Sequence, residues 1–161
     1  MERATKTIIF LPLILIFLLI AAFVVSPIIN NIRLNRFAKQ LTSCPLPQKT
    51  EIIEKKKECG KLSGCGNGMD FFACILIKSD LSLSELNQYY CGKPFKPAKA
   101  FSKHDVQIKI IEPKGKTLKS QFVERPTIDF DSLKNKKDYS KYYILMICDG
   151  GYSAGFDLRG N

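Results

Sequence analysis

MDFFACILIK, residues 69–78, is the stretch on which the fold turns. Every residue from Phe71 to Ile77 is apolar, so a strand built from it has no face suited to water. A strand apolar on both faces is predicted to be a central strand of a sheet. YYILMIC, residues 142–148, has the same character and predicts a second one. Residues 50–58 carry Ile52 and Ile53 ahead of Lys55, Lys56 and Lys57 and predict a first strand, with the lysines guarding an exposed edge. Residues 105–112 alternate Val106, Ile108 and Ile110 with polar partners, the pattern of a half-buried strand. Pro113-Lys114-Gly115 reads as a turn, residues 116–123 as the hairpin partner beyond it, and the polar residues 124–137 as loop. Asp149-Gly150-Gly151 predicts a hairpin turn into a last strand over residues 152–158.

One helix completes this domain. Ser82 and Glu85 have the spacing of a capping box, Leu81 can staple onto Leu86, and Leu83, Leu86 and Tyr90 form a stripe. The helix is expected over residues 83–90 and stops at Cys91-Gly92, with Pro94 beyond. The expected fold is α+β: an N-terminal transmembrane helix, then over residues 49–161 an antiparallel sheet with one short helix packed on a face.

The N-terminus supplies the anchor. IIFLPLILIFLLIAAFVV, residues 8–25, is 18 residues without a charge, extended by Ile28 and Ile29. A helix of 18 to 22 residues covers most or all of a bilayer core of about 30 Å. Val24-Val25-Ser26-Pro27 is a poor cleavage site, so the segment reads as an uncleaved signal anchor. Leu41-Thr42-Ser43-Cys44 has the residue types of a lipobox but lies too far from the apolar run. Residues 1–30 are therefore assigned to tail and transmembrane helix, and residues 31–48 to a juxtamembrane linker. In that linker Arg33, Arg36 and Lys39 meet headgroups while Leu34 and Phe37 dip into the interface. The flanking basic residues would put the domain in the cytoplasm. The short N-terminal tail and six cysteines place the expected domain outside it.

Basic side chains number 25 against 15 acidic ones, and the excess belongs to the domain: from Asn31 onward they stand at 23 against 14. Such a charge suits an anionic envelope partner, a lipid headgroup or a phosphate-rich polymer. Lysine outnumbers arginine by 20 to 5, which disfavours nucleic acid, whose readers rely on bidentate arginine.

Several motifs tempt and fail. Gly151-Tyr152-Ser153-Ala154-Gly155 matches a nucleophile elbow, yet only six residues follow Gly155 and the sole histidine, His104, lies upstream. Cys148 with His104 could be drawn as a thiol catalytic set, but a cysteine ending an apolar strand is ordinarily packing. A small hydrolase using Ser153 or Cys148 with His104 thus stands as one rival to a non-enzymatic domain, and a cytoplasmic-facing basic binder of nucleic acid or lipid as the other. Gly115-Lys116-Thr117 lacks the glycine five positions earlier that a phosphate loop needs; Ile110 stands there. Gly64-Cys65-Gly66-Asn67-Gly68 lacks the dinucleotide-loop spacing. No C-x-x-C exists and there is one histidine, so no zinc site is expected, and no motif calls for another cofactor. Cys74 and Cys148 are expected buried and unbridged. Cys44, Cys59, Cys65 and Cys91 are the cysteines free to pair, Cys59 with Cys65 foremost.

The block GCGNGMDFFACILIKSDLSLSELNQYY, residues 64–90, resembles a group of uncharacterised Gram-positive bacterial membrane-anchored proteins that share its glycine loop, strand and helix start. The resemblance implies an anchor and this fold, with no activity attached. The expected function is a non-enzymatic binding or accessory domain at the cell envelope.

Overall fold

The computed structural model describes residues 2–64, 67–100 and 105–161, with side chains from Phe10 onward in the N-terminal helix. Helix α1 spans Glu2–Ser43, 42 residues, and neither Pro12 nor Pro27 ends it. Among the described residues it is the one helix long and apolar enough to cross a membrane. It stops where Cys44 N–H closes on the Gln40 carbonyl and Pro45 follows.

The linker expected over residues 31–48 is corrected here. Residues 31–43 continue the helix, and Leu34, Phe37 and Leu41 are buried in the core of the domain. Their spacing marks one apolar helical face. The sequence shows that face without saying what covers it, and the sheet does rather than lipid.

Four antiparallel strands form the sheet: β1 (Thr50–Gly60), β2 (Met69–Ser79), β3 (Gln107–Ile111) and β4 (Tyr142–Tyr152), in the order β1-β2-β4-β3. The two strands apolar on both faces, β2 and β4, are the central pair, as their patterns require. One face of the sheet, Phe71, Ala73, Ile75, Ile77, Leu145 and Ile147, packs against the end of α1 and against α2 (Leu83–Tyr90). In α2, Ser82 accepts from Glu85 N–H while the Glu85 carboxylate accepts from Ser82 N–H at 2.8 Å, so the capping box is formed.

Three expectations are corrected. Residues 116–123 do not pair with β3; they make only the isolated bridges Thr117 to Asp129 and Ser120 to Val123. Together with residues 124–133 they cross the second face of the sheet, where Leu118, Phe122, Ile128, Phe130 and Leu133 bury Phe72, Cys74, Leu76, Ile144 and Met146. A face that apolar must be covered, and here irregular chain covers it. Second, Asp149-Gly150-Gly151 is no turn. The register passes from Met69 opposite Tyr152 to Phe71 opposite Asp149, so β4 carries one extra residue, a bulge with Gly151 at φ 79°. A Cβ on Gly150 would collide with the Asp70 carboxylate, which accepts from Gly151 N–H at 3.1 Å. The glycines admit a side chain; they do not reverse the strand. Third, no strand follows over residues 152–158: the chain turns after Tyr152 and ends in a 3-10 turn, Leu158–Gly160.

Candidate functional site

The lysine run is split by the pleat and by a bulge between Ile52 and Glu54. Lys56 pairs with Cys74 and faces the second layer, where its ammonium meets Glu54 at 2.8 Å and Asp131 at 3.7 Å. Glu54 also accepts from the backbone and hydroxyl of Ser132 at 3.0 and 2.8 Å, tying the 3-10 turn Asp131–Leu133 to β1. Burial alone would raise the Glu54 pKa, but these donors outweigh it and hold the carboxyl at about 2. Lys56 is therefore structural.

Lys55 and Lys57 pair with Ile75 and Ala73 and point to the α1 side. Lys57 donates to the Asn35 side chain on α1. Between helix and strand lies a groove of about 370 Å³ with Ala38, Leu41, Ala73 and Ile75 among its lining residues and Lys39, Lys55 and Lys57 at its rim. Among the described residues no carboxylate reaches Lys39 or Lys55. The groove thus combines apolar lining with unpaired positive charge, and no aromatic side chain lines it. The continuation of α1 makes this site: without helix over residues 31–43 it has no second wall.

The residues singled out for catalysis fare differently. Ser153 is exposed beyond the end of β4 and its carbonyl accepts from the Lys99 ammonium at 3.3 Å. No helix follows it to form an elbow; the chain runs into the 3-10 turn instead. His104 lies outside the described residues. Cys148 is partly buried rather than buried, a correction. Its thiol is pushed up to about 12 by burial and by the nearby Asp70 and Asp149 carboxylates, so it stays protonated at neutral pH. Gly115 and Lys116 lie in a bend and Thr117 in an isolated bridge; Thr117 and Lys116 both bind Asp129, at 2.7 and 3.2 Å.

Cys44, Cys59, Cys74, Cys91 and Cys148 are free thiols. Cys74 is buried as expected, whereas Cys59 is also buried beside Phe71 rather than open for pairing. Cys65, its expected partner, lies outside the described residues.

A second cluster was not anticipated. Asp157, buried, accepts from the Asn30 amide at 2.9 Å and pairs with Arg159 at 2.7 Å. Arg159 in turn donates to the Asn31 side chain at 2.8 Å and to the Pro27 carbonyl at 3.3 Å. The hydrogen bonds from Arg159 and Asn30 overcome burial and hold Asp157 at about 2. Only the adjacency of Asp157 and Arg159 was visible in the sequence; the partners lie 127 or more residues away. The chain matches no protein-family model, no curated protein and no solved structure with which it was compared.

Proposed function

We propose that the protein is a membrane-anchored, non-enzymatic binding domain of the bacterial envelope that faces away from the cytoplasm and takes an anionic partner in the groove between α1 and β1. The observation that carries this reading is the pairing of an apolar lining with two lysines, Lys39 and Lys55, that have no anion of their own among the described residues. Because α1 is continuous, it sets the groove's height: Lys39 lies about 15 Å beyond Ile29 at the helical rise. That is above the headgroups of a bilayer spanned by residues 8–29, which favours an anionic polymer extending from the surface over a lipid within it. The absence of aromatics in the groove speaks against single-stranded nucleic acid, which needs stacking platforms. The protonated Cys148 and the missing elbow at Ser153 speak against the hydrolase.

The test is titration of the full chain in detergent micelles with poly(glycerol phosphate). Binding is expected, weakening as salt rises. Lys39→Glu with Lys55→Glu should abolish it, whereas Lys136→Glu with Lys137→Glu, both exposed on the second layer, should leave most of it. Equal loss in the two double variants would reduce the interaction to diffuse charge and defeat the reading.

A further inference from the structure

Residues 156–159 fold back onto α1. Phe156 meets Phe23 edge-on, with ring centroids 5.2 Å apart. Phe23 belongs to the uncharged run and lies about 9 Å from Ile29 towards the bilayer centre by helical rise. Phe156 therefore stands at the depth of hydrocarbon, yet it is 45 % exposed, and Leu158 is 67 % exposed. Large apolar side chains left bare beside a lipid-facing helix are explained if lipid covers them too.

The polar groups around them are arranged for the same place. Asp157 is satisfied by Asn30 and Arg159, and Arg159 by Asp157, Asn31 and the Pro27 carbonyl. Opposite charges tied to each other and to the helix can sit in the headgroup zone without an isolated charge to desolvate. Gly160 closes the segment: a Cβ there would meet Ala154 and the Gly68 carbonyl, so the loop is held against the domain on one side and α1 on the other.

We infer that residues 156–158 form a second membrane contact, in which Phe156 and Leu158 enter the acyl region of the leaflet that α1 leaves. The domain is thereby seated on the bilayer instead of swinging on its helix. The occupant of this surface is the bilayer itself, by continuity with the apolar face of α1, and the inference rests on α1 spanning the membrane as proposed above.

The chain contains no tryptophan, so single-tryptophan variants report depth cleanly. Full-length Phe156→Trp, Leu158→Trp, Leu15→Trp and Lys137→Trp are reconstituted into vesicles of phosphatidylcholine and phosphatidylglycerol, with and without brominated acyl chains. Expected is a loss of fluorescence in Phe156→Trp and Leu158→Trp of the same order as in Leu15→Trp, and none in Lys137→Trp. Leu158→Trp, at the more exposed position, carries the test should Phe156→Trp fail to fold. Quenching of Leu15→Trp with both loop variants unquenched would overturn the inference and leave the anchor standing. An unquenched Leu15→Trp would instead defeat the anchor. Quenching of Lys137→Trp as well would mean the domain lies on the membrane indiscriminately, which also overturns the inference.

Discussion

Asp157, four residues before the end of the chain, accepts a hydrogen bond from the side-chain amide of Asn30 at 2.9 Å, across 127 residues of sequence. Both side chains are buried, and the bond joins the C-terminal segment to α1 where the apolar run ends. Asp157→Ala would leave Asn30 and Arg159 without their shared acceptor and should cost about 2 kcal/mol. The carboxyl is held at about 2, below its ordinary 3.8, so its contribution is complete above the ordinary value and is lost as pH falls through about 2. Thermal unfolding in micelles between neutral and acid pH should show a larger loss in the wild type than in the variant, which keeps only the share from Glu54, also held at about 2.

Phe37 tests whether residues 31–43 belong to the domain. It is 1 % exposed, packed in the core shared with Phe71 and Leu86. Phe37→Ala should destabilise the full chain by about 3–5 kcal/mol, read as a lowered midpoint in denaturant. A residue in a mere linker would leave the midpoint unchanged.

Gly150→Ala should be destabilising, by about 1–3 kcal/mol, since the new methyl meets the Asp70 carboxylate. Asp70→Ala alone also costs stability, through the lost bonds to Gly151 and Leu62 N–H. Combined, the two should cost less than their sum, because removing the carboxylate makes room for the methyl. Strict additivity in a double-mutant cycle would show that the collision does not set the preference for glycine.

Ser82→Ala removes the acceptor for Glu85 N–H and should cost about 1 kcal/mol. The accompanying Glu85→Ala should add little to it, since both side chains serve one capping box. Circular dichroism melts of the single and double variants would read this directly.

Thiol reactivity should follow burial. Cys91 is exposed and should react first with an alkylating reagent at neutral pH. Cys59 and Cys74 are buried, the Cys59 thiol raised chiefly by desolvation and the Cys74 thiol at about 12, so these two should react only on unfolding, while the partly buried Cys148, also at about 12, should react later than Cys91 and before them. Mass mapping after timed alkylation would order them, and early modification of Cys74 would contradict its place between the layers.

What could be read from the sequence was what local pattern dictates. Unbroken apolarity over Phe71 to Ile77 and Tyr142 to Cys148 leaves a strand no face for water, so both had to be central. Ser82 and Glu85 are their own partners, and the capped helix over Leu83–Tyr90 followed from four neighbouring residues. The uncharged run of α1 likewise announces its length and apolarity without reference to anything else. The tertiary structure decided the rest, because there the energy lies between residues far apart in the chain. Leu34, Phe37 and Leu41 make one apolar stripe whether lipid or sheet covers it, and only contact with β2 settled that it was sheet. The glycines after Asp149 looked like a turn because the side chain that demands them, Asp70, belongs to another strand. Irregular chain was drawn across the second face by the apolar area waiting there, an attraction that leaves no period in the covering segment. The lysine run became one structural cation and a groove rim only when a bulge and a helix gave each lysine its side.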